Sequence, residues 1–105
     1  MLKTKNSSHQ KILSQVRKRD GSVVPFDESR IINAVRKAMR VSAEGGEKEA
    51  TTVAKMVVKD LQAITRSKGL DFLPTVEEVQ DLVEKQLILH NFVKTSKSYI
   101  LYRER

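Results

Sequence analysis

The residues best suited to chemistry are three cations near the start of the chain, Lys18, Arg19 and Arg30. Lys18 and Arg19 come directly before Asp20-Gly21, a dipeptide that strongly favours a β-hairpin turn. Cations held together on a short hairpin repel one another unless an anion lies among them. A hairpin lid and the start of the next helix could therefore hold the phosphates of a nucleoside triphosphate.

The helix after the hairpin is expected to begin at Asp27, whose carboxylate can cap free backbone N–H groups. The remaining N–H groups would face the same region as the cations and favour an anion there. Val16 would offer an apolar contact to a base. A purely structural interpretation explains the segment equally well, with Val24 in the core and the cations in solvent.

The other reactive side chains predict neither a catalytic nor a metal site. The chain has no Cys, which excludes a disulfide scaffold and a cysteine nucleophile. No ligand stands at metal-binding spacing around His9 or His90. The pair Glu77-Glu78 falls in the first turn of a predicted helix, where the helix dipole favours negative charge. No GxxxxGK[ST] or GxGxxG loop is present, so a nucleotide would be bound without one.

The positive net charge favours an anionic partner but does not identify which one. The 105 residues include 20 Lys and Arg against 13 Asp and Glu, a net charge of +7. The first 40 residues hold ten of these cations and three of the acids, so the whole excess lies there. Such a field attracts nucleic acid, a membrane surface or a phosphorylated small molecule. Since no apolar run approaches a signal peptide or the ~18 residues of a membrane span, we expect a cytoplasmic protein without membrane contact.

Hydrophobic periodicity predicts one mainly helical domain. Residues 1–10 are polar and basic and are expected to form a flexible tail, and residues 11–105 to form the domain. The domain is predicted to contain a basic hairpin followed by four helices. The predicted helices run from the Asp27 cap to about Arg40, from about Glu47 to Arg66, from a T-x-x-E capping box at Thr75, and from a cap at Asn91 to Arg103.

The turn type predicts the register of the hairpin. A two-residue type I′ turn at Asp20-Gly21 needs positive φ at both residues and would pair Arg17 with Val24. Pro25 cannot donate to a ladder and so belongs at an edge or a strand end. Because a lone two-stranded hairpin is marginal in water, it is expected to lie against the helices.

The sequence resembles the ATP-cone family, regulatory modules at the N-terminus of many ribonucleotide reductases and inside the repressor of reductase genes. The resemblance covers about residues 11–105, and its most specific part is the opening motif V-x-K-R-D-G-x-x-x-x-F-[DN]-x-x-[KR]-I. This chain matches that motif at Val16, Lys18, Arg19, Asp20, Gly21, Phe26, Asp27, Arg30 and Ile31. A P-T-x-E-x-[VI] helix start at 74–79 and a closing aromatic-x-x-Tyr-Arg pattern at 99–103 also fit.

The resemblance implies an α+β, mainly α fold, a four-helix bundle capped by a small β-hairpin or three-stranded sheet with Phe72-Leu73 as third strand. It implies binding of ATP or dATP with Mg²⁺ and no catalysis. The residues that it implies at the nucleotide are Lys18, Arg19 and Arg30 for the phosphates, Val16 and Val24 for the base or ribose, Asp27 for the turn or a sugar hydroxyl, and Thr75 and Lys97 from the third and fourth helices. Capping alone would explain Thr75 equally well, and Lys97 could be a solvated cation.

The resemblance further implies regulation of a reductase catalytic domain or subunit, through nucleotide-dependent contacts or a nucleotide-dependent homo-oligomer. The lack of Cys separates this chain from the repressor relatives, which carry a four-Cys zinc ribbon. The alternative is a nucleic-acid-binding module, such as a transcriptional regulator, that uses the basic hairpin. Most of the aromatic residues lie on predicted core faces, and no stacking platform beside the cations is evident, which disfavours that alternative. A nucleotide hydrolase would need a catalytic base near the phosphates, and none is evident.

Overall fold

The computed structural model describes residues 13–69 and 71–104, which form a two-stranded antiparallel sheet and four helices. The mainly helical fold class with a hairpin is thereby confirmed. The predicted flexible tail at residues 1–10 lies outside the described residues. The elements are β1 Gln15–Arg17, β2 Val23–Pro25, α1 Glu28–Ser42, α2 Glu47–Lys68, α3 Val76–Leu89 and α4 Val93–Arg103.

The hairpin forms where predicted, but its register differs by one residue from the prediction. Val16 pairs with Val24, and Arg17 pairs with Val23 instead of Val24. Side chains alternate along a strand, so directly paired residues lie on the same face of the sheet. The observed register therefore puts Val16 and Val24 side by side and away from Arg17.

The register differs because the turn has three residues, not two. The Lys18 N–H donates to the Ser22 carbonyl at 2.8 Å, and the Gly21 N–H donates to the Lys18 carbonyl at 2.9 Å. Gly21 alone takes a left-handed φ, of 92°, whereas a type I′ turn would force Asp20 to do the same. The Asp20 carboxylate instead accepts from the Ser22 N–H at 2.9 Å, which fixes the three-residue turn.

The predicted third strand at Phe72-Leu73 was wrong. The chain contacts β1 just after this segment, through a single parallel bridge between Arg17 and Thr75. The Arg17 N–H donates to the Pro74 carbonyl at 2.9 Å, and helix α3 begins at once after Thr75. Because the helix begins there, the segment is too short for a strand ladder, but it ties the hairpin to the start of α3.

Two of the predicted helix caps are confirmed. The Asp27 carboxylate accepts from the Ser29 N–H at 3.0 Å and begins α1. Thr75 and Glu78 form the reciprocal capping box at the start of α3. Both caps lie beside the hairpin, so the N-terminal ends of α1 and α3 are fixed in the same region as the cations.

The predicted cap of the fourth helix at Asn91 was wrong. Asn91 has a left-handed φ of 66° in the turn after α3, and α4 begins two residues later. A residue distant in sequence does the capping instead. The Glu44 carboxylate accepts from the Thr95 N–H and hydroxyl, both at 2.8 Å, and Ser42 bonds the same hydroxyl at 2.9 Å. The α1–α2 loop is thereby fixed to the start of α4.

The four helices close a ring, because α1 packs against α2 and α4, and α3 packs against the same two helices. Their inward residues form one apolar core with Val16 of the hairpin at its edge. No described helix has the length and apolarity to cross a bilayer. The apolar residues of this core that are 0% exposed are Val35, Ala50, Val53, Ala54, Val57 and Leu87.

The capping role of Glu44 predicts an acid-dependent loss of stability. Hydrogen bonds from the Thr95 N–H and hydroxyl hold the pKa of the Glu44 carboxyl below its ordinary 4.5. A lowered folded-state pKa stabilises the fold above the unfolded value and ceases to do so as the pH falls through it. We expect Glu44→Gln to show a shallower loss of unfolding free energy than the unmodified protein as the pH falls below 4.5.

Urea denaturation at a series of pH values would measure this dependence. Glu47→Gln is the matched control, because Glu47 is exposed at the start of α2 and its side chain has no hydrogen bond among the described residues. Parallel pH profiles for Glu44→Gln and the unmodified protein would contradict the assigned cap.

Candidate functional site

A cavity of about 580 Å³ opens where the hairpin meets the bundle. It lies between the inner face of the hairpin, the start of α1, the first turns of α3 and the end of α4. The two helix caps and the Arg17–Thr75 bridge fix three of these walls. The lining residues are Val16, Lys18, Val24, Pro25, Phe26, Asp27, Arg30, Ile31, Ala34, Val76, Val79, Gln80, Tyr99 and Tyr102.

Five of the eight predicted site residues share this cavity. Lys18 follows the last residue of β1, and Arg30 lies in the first turn of α1. Two cations from different parts of the chain therefore line the same cavity. Val16 and Val24 supply an apolar wall from the hairpin. Cations beside an apolar wall can hold an anionic group at one end of a ligand and a flat apolar group at the other.

The fifth of these residues is Asp27. Among the described residues, it is the only acidic one that lines the cavity. Hydrogen bonds from the Ser29 hydroxyl at 2.6 Å and the Ser29 N–H at 3.0 Å lower the pKa of the Asp27 carboxyl. Both bonds end on Oδ1, so Oδ2 has no protein hydrogen bond among the described residues. Asp27 is thus ionised and anchored at the start of α1, with one oxygen open to a donor.

Arg19 is placed differently from Lys18. Its Nε donates to the Glu77 carboxylate at 2.8 Å, and Arg19 is not among the residues that line the cavity. The same bond lowers the pKa of Glu77. The pair joins the hairpin turn to the first turn of α3 across the rim, so the Arg19 guanidinium would have to leave Glu77, or share itself, to bind a phosphate.

The other two predicted residues lie on the helices predicted for them, outside the cavity lining of the described chain. Thr75 caps α3 at the rim, where its hydroxyl accepts from the Glu78 N–H at 3.1 Å. Lys97 is exposed on α4, while Tyr99 of the same helix is buried against the cavity. Thr75 therefore lies next to the cavity, whereas Lys97 is exposed and does not line it.

Sequence reasoning missed the polar and aromatic wall that α3 and α4 supply. Tyr99 and Tyr102 line the cavity with ring centroids 6.1 Å apart, and Gln80 lines it from α3. Arg103 clamps the end of α4 onto α3, by bonds to the carboxylates of Asp81, at 2.9 Å, and Glu84. The closing aromatic-x-x-Tyr-Arg pattern includes both tyrosines, but it does not indicate that their rings lie on the face of α4 that lines the cavity.

A cavity lined by cations from two elements and by an apolar wall has the features of a small-ligand site. Residues 14–105 match the ATP cone domain family, and the chain belongs to that family.

Proteins similar to this chain include ribonucleotide reductases. The chain is 40% identical over 99 residues to a vitamin B12-dependent ribonucleoside-diphosphate reductase of Thermoplasma acidophilum, which covers 90% of this chain and 12% of the relative. It is 34% identical to the ribonucleoside-diphosphate reductase subunit alpha of Chlamydia trachomatis, covering 83% of this chain and 9% of the relative. With an anaerobic ribonucleoside-triphosphate reductase of Salmonella typhimurium it shares 31% identity, over 84% of this chain and 11% of the relative. The chain thus spans about a tenth of the length of these relatives.

Proposed function

We propose that this domain binds ATP or dATP in the cavity under the hairpin and acts as an allosteric regulatory module. The observation that carries the proposal is the meeting of Lys18 and Arg30 with an apolar wall in one cavity of about 580 Å³. Membership of the ATP-cone family supports the same ligand class. It also disfavours the alternative of a nucleic-acid-binding module.

The chemistry of the lining divides the ligand into two ends. Lys18 and Arg30 would hold the triphosphate, with Arg19 and Thr75 joining from the rim. Val16 and Val24 would lie against the base or ribose. Mg²⁺ would arrive with the nucleotide, since the described residues contain no cluster of three or more His, Cys, Asp or Glu side chains that could hold a metal.

Regulation would follow because the bound nucleotide contacts several elements of the fold at once. The hairpin, the start of α1, the start of α3 and the end of α4 all line the cavity, so a ligand there contacts each of them. A ligand shifts the populations of conformations that bind it with different affinity. We propose that such a shift changes the contacts of this domain with a reductase catalytic domain or subunit, or with a second copy of the chain.

Thermal unfolding with and without nucleotide tests the proposed ligand. A ligand that binds only the folded state stabilises it by about 2.7 kcal/mol at a hundred times its Kd. In a domain of this size, that shifts the melting temperature by roughly 10 °C or more. We therefore expect ATP or dATP with Mg²⁺ to raise the melting temperature. Inorganic triphosphate with Mg²⁺ serves as a control for simple anion binding, and the lack of any shift at millimolar ATP and dATP would contradict the proposal.

A further inference from the structure

The wall of the cavity contains a tyrosine hydroxyl that has no hydrogen-bond partner among the described residues. Tyr99 is only 4% exposed and lines the cavity from α4, and its hydroxyl has no hydrogen bond among the described residues. Burial raises the pKa of this hydroxyl, so it is a neutral donor and acceptor. The hydroxyl of a largely buried Tyr ring normally has a hydrogen-bond partner, and solvent or a ligand in the cavity can supply one here.

A second unpaired polar group lines the same cavity from the neighbouring helix. The half-buried Gln80 carboxamide on α3 has no hydrogen-bond partner among the described residues. The two helices pack directly, and Arg103 bonds both Glu84 and the Glu77 carbonyl to hold them together. Gln80 and Tyr99 therefore belong to a wall with a fixed geometry, as a specificity contact requires.

The residues beside this polar pair indicate which part of a nucleotide it meets. Val79, Ile31 and Ala34 line the cavity with Tyr99 and carry no charge. Arg103, the cation whose charge acts on Tyr99, is already paired with Asp81 and Glu84, so this wall offers a triphosphate no free cation. The base is the part of the ligand that combines apolar faces with a polar edge.

We propose that Gln80 and Tyr99 read the edge of the base and give the domain its preference for adenine over guanine nucleotides. This inference rests on the proposed binding of ATP or dATP in the cavity. A Gln carboxamide pairs with adenine by accepting from N6 and donating to N7. Guanine presents two acceptors, O6 and N7, at the same positions, so the carboxamide oxygen would face an acceptor. The Tyr99 hydroxyl can supply a further bond to the base.

Calorimetric titration with ATP and with GTP, each with Mg²⁺, tests this assignment on two variants. Gln80→Met keeps the side-chain length and removes the carboxamide, and Tyr99→Phe removes only the hydroxyl. We expect Gln80→Met to lower the ratio of ATP affinity to GTP affinity by about 10-fold, and Tyr99→Phe by about 2- to 10-fold. Gln62→Met on α2, outside the cavity lining, is the matched control and should leave the ratio unchanged.

The outcomes separate this inference from the proposed function. If the unmodified protein binds ATP and both variants keep its ATP-to-GTP ratio, the assignment of Gln80 and Tyr99 is overturned and the proposed function stands. If the unmodified protein binds neither nucleotide, both proposals fail. Because Tyr99→Phe removes a hydroxyl that has no hydrogen bond among the described residues, its melting temperature without nucleotide should match that of the unmodified protein.

Discussion

Replacing Lys18 with Ala is expected to weaken binding of the triphosphate by about 10- to 100-fold, which is the loss of one hydrogen bond to a charged group. Lys18 lines the cavity from the end of β1, and it is opposed there by Arg30 from α1. The two cations belong to different elements, so neither can take over the position of the other. Calorimetric titration with ATP and Mg²⁺ would measure the loss.

Lys18→Ala should leave the fold intact. The Lys18 side chain is exposed and has no hydrogen bond or ion pair among the described residues, so its truncation removes no contact that holds the bundle. Far-ultraviolet circular dichroism and the melting temperature without nucleotide should be unchanged. Loss of folding would instead support the purely structural interpretation of the hairpin.

Lys59→Ala is the matched control for the charge change. Lys59 is exposed on α2, has no ion pair among the described residues and does not line the cavity. It removes the same charge from a protein with a net charge of +7. Equal losses of ATP affinity in Lys18→Ala and Lys59→Ala would show that only the general field attracts the nucleotide, and would contradict a site at Lys18.

Arg19→Ala is expected to cost less affinity than Lys18→Ala. Arg19 already bonds Glu77, and that bond competes with any phosphate for the guanidinium. Exposed ion pairs of this kind contribute only about 0–1 kcal/mol, so the competition is modest. A smaller loss for Arg19→Ala would agree with its place at the rim of the cavity.

Leu87→Ala is expected to destabilise the domain by about 2–5 kcal/mol. Leu87 is fully buried on α3, at the centre of the core that joins the helices. Removing its side chain loses apolar burial and leaves a cavity that a close-packed core only partly fills. In a domain of this size the melting temperature should fall by roughly 10 °C or more.

Leu89→Ala is the matched control, because Leu89 lies on the same helix and is 64% exposed. The same change of residue type there should alter the free energy of unfolding by less than about 0.5 kcal/mol. Urea denaturation followed by circular dichroism would measure both variants. Similar effects of the two substitutions would contradict the packing of α3 against α2 and α4.

Local sequence signals predicted most of the helical framework. Asp27 and Thr75 carry cap chemistry that acts within three residues, so both helix starts could be identified from the chain alone. The cap of α4 could not, because Glu44 reaches it from a loop 51 residues away in sequence. Asn91 has a residue type that favours capping and lies near the start of α4, but it takes a left-handed φ in the turn before that helix.

The hairpin shows the limit of a dipeptide signal. Asp20-Gly21 predicted a turn, but the turn length depends on whether both residues take positive φ, and only Gly21 does. One residue of register decides which side chains share a face of the sheet. The observed register sets Val16 beside Val24, and this pairing makes the apolar wall of the cavity.

The candidate site was predictable to the extent that its residues lie close in sequence. The opening motif contains Lys18, Asp27 and Arg30, which the hairpin and the start of α1 bring together. Gln80 and Tyr99 enter the cavity from α3 and α4, and their positions depend on how these helices pack. No local pattern reports that packing, so the wall that they form became visible only in the structure.

Two-dimensional NMR of the 15N-labelled protein during titration with ATP and Mg²⁺ tests most directly whether the cavity is the nucleotide site. We expect saturable shifts of backbone amides around the cavity, including those of Val16, Lys18, Arg30 and Tyr99. Amides at the opposite end of the bundle, around Glu44, should change little. A spectrum of the folded protein that does not change at millimolar ATP, or saturable shifts confined to the Glu44 end, would contradict the account.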